Sequence, residues 1–265
     1  TSMTLTAGQA SDLQDVAGVT ALTLASTGST ATRFTAETGQ NALNAVDTIT
    51  FTGSGDTTLR LDATDIVVAA ASTAGGTTAA AVIATDSSSG NSRIEIMEAI
   101  TSQTIDLSAL AVDEIALGAT STITGSLTLA SGANLVIAAD QTALILTAAA
   151  VAGNTATVTI EDNSTAVDTD AHDLTSLTTT NIANLTLQVD DTERVAGVKA
   201  TTVNVGTANT LTLSGAGNLL VGTSITAKDV VSNGYTGKAD IKLVNSIGTD
   251  FTTGSGDDTF RGDGT

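Results

Sequence analysis

The end of the sequence, Thr252–Thr265, places glycine and carboxylate groups at a spacing that suits calcium. It reads TTGSGDDTFRGDGT and fits the nonapeptide pattern G-G-x-G-x-D-x-U-x closely, with Thr253 in place of the first glycine. Gly254 and Gly256 match two glycines, Asp258 matches the aspartate and Phe260 matches the large apolar residue. Glycine permits a tight turn with positive φ and exposed carbonyls, and calcium takes carboxylate and carbonyl oxygens as ligands. The pattern therefore predicts a Ca²⁺ site at this turn.

This turn resembles the RTX repeat family, whose members are secreted by the type I route. Gly262-Asp263-Gly264 looks like the start of a second copy. The resemblance implies a calcium-binding parallel β-roll, an extracellular location and folding triggered by calcium. The composition, rich in Thr and Ala and free of cysteine and proline, also resembles that of bacterial S-layer proteins. The candidate metal ligands at this turn are Gly254, Gly256, Asp257, Asp258 and Asp263.

An earlier stretch, Thr52–Arg60, repeats almost the same phrase as TGSGDTTLR. Thr57 stands where the later copy has Asp258, and Asp56 lies one residue before that position. We therefore predict the same turn and strand without a calcium ion.

A second acidic cluster gives a further candidate cation site. Asp168 and Asp170 are separated by one residue, so their carboxylates can converge in a loop. The alternative interpretation is a solvated acidic loop. His172, the only histidine, is interpreted as a surface residue of that loop, and Tyr235 as a turn side chain that contacts a sugar or a neighbouring subunit if exposed.

Charge and composition limit the classes of function. With 28 acidic and 9 basic residues the net charge is −19, which disfavours nucleic acid and favours divalent cations. The phosphate-loop, dinucleotide-binding and zinc patterns are missing from the sequence. A polysaccharide-cleaving groove would need more basic and aromatic residues than the sequence supplies. We predict that the protein is not an enzyme. We also predict no membrane insertion, because the apolar stretches are too short to span a bilayer.

Short bursts of alternating residues indicate the elements that must position these groups. Apolar residues at positions i and i+2 with Thr between them are typical of strands with one buried face. Gly, Asn, Asp and Ser separate the bursts and form turns. The bursts include Leu22-Thr23-Leu24, Ile49-Thr50-Phe51, Ile105-Asp106-Leu107, Leu127-Thr128-Leu129, Val158-Thr159-Ile160, Leu185-Thr186-Leu187, Val203-Asn204-Val205 and Leu211-Thr212-Leu213.

The spacing of the bursts predicts an all-β fold. In the last third of the chain most bursts begin about 8–11 residues apart, which is typical of a sandwich or a solenoid. Very short bursts, recurrent Thr and Val, and only 2% aromatic residues favour the solenoid. We predict a right-handed parallel β-helix or β-roll, with stacked β-sandwich domains as the alternative.

Composition shifts divide the chain into four predicted parts. These are an N-terminal β subdomain (1–72), a loop rich in Thr, Ala, Gly and Ser (73–91), a main β-solenoid (92–250) and the start of RTX-like repeats (251–265). The stretch SRIEIMEAI, Ser92–Ile100, is compatible with a strand or a short helix. The two ends of the sequence indicate a piece of a longer chain.

These expectations combine into one functional hypothesis. The chain is predicted to be a structural subunit of a calcium-dependent extracellular assembly, an S-layer or surface fibre on a bacterial cell, which self-associates into a lattice or filament. An RTX-type adhesin or carbohydrate-binding module, with cell-surface polysaccharide as partner, is the alternative. A polysaccharide-degrading β-helix enzyme is the third hypothesis.

Overall fold

The structure is a computed structural model of the 265-residue chain. It describes residues 2–7, 11–13, 18–28, 31–36, 46–61, 77–79, 83–100, 104–161, 172–192, 197–243 and 251–262. Over these ranges the chain is all-β and contains no helix. It follows that none of the described residues belongs to a helix able to span a membrane.

Twenty-four strands make up the described part of the fold. In chain order they are β1 (Ser2–Ala7), β2 (Ser11–Leu13), β3 (Ala21–Ser26), β4 (Thr32–Ala36), β5 (Thr48–Thr52), β6 (Thr57–Leu61), β7 (Thr77–Ala79), β8 (Ile83–Asp86), β9 (Ser92–Ile96), β10 (Thr104–Asp106), β11 (Leu110–Ala111), β12 (Glu114–Leu117), β13 (Ser121–Thr122), β14 (Leu127–Leu129), β15 (Ala133–Ile137), β16 (Gln141–Ala148), β17 (Thr155–Ile160), β18 (Leu174–Thr180), β19 (Asn184–Val189), β20 (Val198–Gly215), β21 (Leu219–Val231), β22 (Ala239–Leu243), β23 (Phe251–Thr252) and β24 (Thr259–Gly262).

Every strand pair among these elements is parallel, and the pairs form three columns. The first column is the five-stranded sheet β1-β3-β5-β8-β11. The second runs β2-β4-β6-β9-β12-β15-β17-β19. The third runs β7-β10-β14-β16-β18, and the short strand β13 also pairs with β16 there. The long strands β20 and β21 extend both the second and third columns. β23 then continues the second column, and β22 and β24 continue the third. β-Sandwiches are built from antiparallel sheets, so their pairing differs from this one.

Parallel strands require the chain to travel away and return, and the length of this excursion varies. We call the segment between a residue and its neighbour in the next strand of the column a layer. Neighbouring layers place Ala239 beside Asp258, 19 residues later, but Asp56 beside Asn91, 35 residues later. The strands therefore stay in register while the connections between them absorb the differences in length.

A continuous row of apolar side chains explains this register. Along the second column each member of the row pairs with the next and is at most 2% exposed. Burying such side chains stabilises the fold by about 1.5–3 kcal/mol each, and a shift by one residue would expose the whole row. The row consists of Phe34, Leu59, Ile94, Ile115, Leu135, Val158, Leu187 and Leu213.

Threonines form a second kind of row on the outer face. In the first column Thr4 pairs with Thr23, Thr23 with Thr50, and Thr50 with Thr85. The hydroxyls of Thr50 and Thr85 are 3.3 Å apart and hydrogen-bonded. β-Branched side chains suit a pleated surface, so the repeated Thr of the sequence supports the stacking of strands.

The bursts that the sequence predicts as strands all lie in strands or at their ends, and their apolar residues are buried. Ser92–Ile96 is a strand rather than a helix. The predicted loop 73–91 contains two strands, β7 and β8, so interpreting that whole range as a loop was wrong. Small residues such as Thr77 and Thr78 pair with β10 despite a composition typical of loops. The four-part division remains a prediction.

Candidate metal site at the turn between β23 and β24

Residues 253–258 form a corner that connects β23 to β24. β23 pairs with the end of β21 in the second column, and β24 pairs with β22 in the third. The corner therefore lies directly beside the equivalent corner of the preceding layer, around Tyr235 and Gly237. The Ser255 N–H donates a hydrogen bond of 3.1 Å to the Tyr235 carbonyl and joins the two corners.

Close stacking of these corners explains the glycines. A Cβ on Gly256 would lie 2.1 Å from the Gly237 carbonyl oxygen, and one on Gly254 would lie 2.1 Å from the Tyr235 carbonyl oxygen. A Cβ on Gly237 would lie 2.0 Å from the carbonyl oxygen of Gly217. We call Gly217, Gly237 and Gly256 the glycine column. The predicted reason for Gly254 and Gly256, a positive φ, was wrong, since neither has one.

Asp258 uses only one of its two carboxylate oxygens within the described protein. Oδ1 accepts a hydrogen bond of 3.0 Å from the Ala239 N–H of the preceding layer. Oδ2 is buried and has no hydrogen-bond partner among the described residues. An unsatisfied buried oxygen costs about 1–3 kcal/mol, and more when the group is charged. Oδ2 is therefore an oxygen donor that fits a cation.

The other predicted ligands are only partly placed. Asp257 is exposed in the same corner as Gly254 and Gly256. Asp263 and the second candidate pair, Asp168 and Asp170, lie outside the described residues. Within the ranges that the structure covers, no three His, Cys, Asp or Glu side chains converge on a point that could hold a metal. The described donors are thus one buried carboxylate oxygen and the carbonyls of the corner.

Tyr235 lies in the turn between β21 and β22, as predicted, but its side chain is in the core, so the alternative of an exposed tyrosine that contacts a sugar or a neighbouring subunit was wrong. It is completely buried, and its hydroxyl donates a hydrogen bond to the Gly217 carbonyl. Burial, and next the negative charge of Asp258, raise the pKa of the Tyr235 hydroxyl well above its usual 10.0. The only tyrosine in the chain therefore reports on the charge at Asp258.

The earlier copy of the phrase adopts a related corner with different carboxylate chemistry. Residues 53–56 join β5 to β6, as residues 253–258 join β23 to β24. Thr57, at the position of Asp258, is fully buried, and its hydroxyl donates to the Gly55 carbonyl at 3.4 Å. Asp56 is exposed, and its Oδ1 accepts from the Asn91 N–H at 2.9 Å. The predicted order of turn and strand is confirmed, but the turn is not the same, because Gly53 has a φ of 105° and the equivalent Gly254 has no positive φ. The absence of an ion remains a prediction.

Carboxylates also cap backbone groups at corners that lack the motif. Asp113 Oδ2 accepts hydrogen bonds from the Ser92 N–H at 2.8 Å and the Ser92 hydroxyl at 3.1 Å. The same hydroxyl lies 2.9 Å from Asp86 Oδ2 and can donate its single proton to either carboxylate. Burial acts to raise the pKa of Asp86, but hydrogen bonds from Ser88 and Ser92 outweigh it and lower that pKa. Backbone capping alone is therefore no mark of a metal site, and the unpartnered Oδ2 is what sets Asp258 apart.

His172 lies at the start of the third-column strand β18 and is only 6% exposed. Its interpretation as a surface residue was therefore wrong. The neighbouring Asp173 uses Oδ1 to accept the Lys199 N–H at 3.0 Å, another corner cap. His172 stands two residues before Leu174, which begins β18 and is fully buried.

A group of charged residues that the sequence did not single out lies on the second column. Arg33, Arg60 and Arg93 line one cavity together with Glu95 and Glu161. No spacing in the sequence signals this group, because the layers that bring the arginines together differ in length.

Comparison with family models, curated proteins and solved structures gives no match for this chain.

Proposed function

We propose that the chain is a structural subunit of a calcium-dependent extracellular assembly, an S-layer or surface fibre on a bacterial cell. In this proposal the three columns close into a right-handed parallel β-solenoid, and the corner at Asp258 begins a series of calcium-binding turns. The in-register rows of aliphatic and Thr side chains support the solenoid. The RTX-like phrase and the acidic composition support the location and the role of calcium.

One observation carries the calcium part of the proposal, namely the buried Oδ2 of Asp258. This oxygen lacks a partner among the described residues although the neighbouring Oδ1 is hydrogen-bonded. Asp258 would hold the ion together with Asp257, Asp263 and the carbonyls of Gly254 and Gly256. Bound calcium would supply positive charge, and the carboxylate and carbonyl oxygens of the corner would coordinate it. Asp258 then holds the ion through Oδ2 and fixes the preceding layer through Oδ1.

The charge of the whole chain links calcium to assembly. A net charge of −19 opposes the approach of two copies, because like charges repel until they are screened or neutralised. Ions bound only by the folded state also add their binding free energy to its stability. Calcium is therefore expected to raise the melting temperature and to increase the size of the particles.

Terbium luminescence tests the site directly, because Tb³⁺ replaces Ca²⁺ and is sensitised by a nearby aromatic ring. The chain has one tyrosine and no tryptophan, so the sensitised signal reports an ion close to Tyr235. We expect Tb³⁺ to give a signal that excess Ca²⁺ displaces and that Asp258→Asn weakens at least about tenfold. Asp56→Asn, in the earlier copy, is the matched control and should leave the signal unchanged.

Two results would contradict the proposal. If the Asp258→Asn protein keeps the full terbium signal, the ion does not bind at this corner. Light scattering and thermal melting in calcium and in chelator test the assembly separately. If chelation changes neither the melting temperature nor the particle size, the calcium-dependent assembly is wrong even where an ion binds.

A further inference from the structure

The outer face of the second column carries a cavity of about 350 Å³ that is lined mainly by charged side chains. Three arginines from the strands β4, β6 and β9 contribute to its walls. They are three of only nine basic residues in a chain with 28 acidic ones. A volume of this size falls within the range of small-ligand pockets, about 300–1,000 Å³.

The strand register places the arginines together. Arg33 pairs with Thr58, and Thr58 pairs with Arg93, so these three side chains stand in one row across neighbouring strands. Arg60 lies two residues after Thr58 and therefore points to the same face. Arg60 in turn pairs with Glu95 on β9. The cluster is thus built on three strands of a packed sheet, which is a rigid support.

Two of the arginines are held by carboxylates. Arg93 donates from Nη1 and Nη2 to the two oxygens of Glu161, at 2.6 and 2.9 Å, and its Nη1 lies 3.4 Å from Glu114. Arg60 donates from Nε to Glu95 at 2.7 Å. The side chains of Arg93 and Glu95 are only 13% and 10% exposed. These pairs fix the walls of the cavity before any ligand arrives.

Donors remain for a ligand. Arg33 is exposed, and it forms no ion pair within the described part of the chain. Nη1 of Arg60 makes no hydrogen bond to any described residue, and the side chain is 31% exposed. Each guanidinium has five N–H donors in a planar fork that matches a carboxylate. Arg33 and Arg60 can therefore bind the same anionic group from two sides.

We propose that this cavity binds a carboxylate-bearing sugar, that is, a uronic acid residue of an acidic polysaccharide. Arg33 and Arg60 hold the sugar carboxylate, and the oxygens of Glu95 and Glu161 accept hydrogen bonds from the sugar hydroxyls. The Arg60–Glu95 and Arg93–Glu161 pairs are internally balanced, and Glu114 adds a further negative charge beside Arg93. Arg33 is therefore the one lining cation without an ion pair among the described residues, and it suits a monoanion. A phosphate dianion fits less well, because it would face the two glutamates. This proposal does not depend on calcium.

Titration calorimetry with glucuronate, glucose and inorganic phosphate tests the ligand class. We expect glucuronate to bind, phosphate to bind more weakly, and glucose to give no heat of binding. If glucose bound as tightly as glucuronate, the carboxylate would not be recognised. If phosphate bound as tightly as glucuronate, the cavity would be a general anion site. Either result overturns the proposal, and so does a failure of glucuronate to bind.

Variants assign the site to its residues. Arg33→Gln and Arg60→Gln should each weaken glucuronate binding about tenfold or more, the loss expected for one charge-assisted hydrogen bond. Arg33→Lys should recover only part of the affinity, because it keeps the charge and loses the planar fork. Arg261→Gln on β24 makes the same charge change at an exposed arginine outside the cavity and should bind normally. Equal affinities of wild type, Arg33→Gln and Arg60→Gln would refute the assignment.

Discussion

The glycine column makes a prediction whose size follows from distances in the structure. In Gly237→Ala the new Cβ would lie 2.0 Å from the Gly217 carbonyl oxygen, whereas real Cβ atoms essentially never come closer than 3.0 Å. The Gly217 carbonyl oxygen belongs to the backbone and the Cβ position is fixed by the backbone, so no side-chain rotation relieves the clash. The two layers must therefore move apart. Overpacking typically costs about 1–3 kcal/mol, and we expect at least the upper value, about 3 kcal/mol. Since 1 kcal/mol corresponds to about 2–4 °C in a domain of this size class, the melting temperature should fall by about 6–12 °C.

Circular dichroism melting of the full chain measures this effect. Gly222→Ala is the matched control, because Gly222 is exposed in β21, has no positive φ, and a Cβ there would meet no atom within 4 Å. Removing a glycine at such a position is expected to be neutral or to stabilise by about 0.4–1 kcal/mol. If Gly237→Ala melts within about 1 °C of wild type, well under the shift that 1 kcal/mol produces, the corners do not stack as described. The same conclusion follows if both variants lose equal stability.

Three further predictions concern single positions. The folded-state pKa of Tyr235 is raised above 10.0, so the contribution of Tyr235 to stability is complete below pH 10.0 and declines as the pH rises beyond that value. Ultraviolet absorbance should show no tyrosinate until the protein unfolds. An ordinary titration near pH 10.0 would contradict the burial of Tyr235. Leu135→Ala should lower the free energy of unfolding by about 2–5 kcal/mol in urea, whereas Val151→Ala, at a side chain that is 64% exposed, should change it by less than about 0.5 kcal/mol. Asp113→Ala should cost about 1–2 kcal/mol because it removes the acceptor of the Ser92 N–H, and Asp113→Asn should restore most of this stability; equal losses in both variants would point to charge instead of capping.

The sequence predicts the strands well because alternation is a local property. In Leu22-Thr23-Leu24 the two leucines are at most 1% exposed and lie on the inner face of β3. The same holds for Val158 in β17 and Leu187 in β19. Each burst specifies its own buried face, and a parallel column only has to place such faces side by side. The all-β class therefore follows from short segments, whereas the parallel arrangement is favoured over a sandwich only by the short bursts, the recurrent Thr and Val and the 2% aromatic content.

Burial of isolated polar residues is harder to predict, because it depends on the neighbouring layer. Tyr235 lies between glycines in a turn-like sequence. Nothing nearby in the chain indicates that its hydroxyl donates a hydrogen bond to the Gly217 carbonyl of the preceding layer. His172 follows a run of Asp and Thr that is typical of exposed loops. The arginine cavity could not be predicted from the sequence for the same reason. Its three arginines meet only because β4, β6 and β9 are neighbours in one column.

The two copies of the TGSGD phrase show why a motif can predict a shape more securely than an ion. Glycines permit the close stacking of corners, and this need is present in both copies. A Cβ on Gly256 would lie 2.1 Å from the Gly237 carbonyl oxygen, and one on Gly53 would lie 2.5 Å from the Ser26 carbonyl oxygen. Aspartates are then the natural caps for N–H groups that the corner leaves without a strand partner, as Asp113 shows. Glycine and aspartate are thus explained without calcium. Only a carboxylate oxygen that is buried and unpartnered requires something more, and in the described corners that oxygen belongs to Asp258.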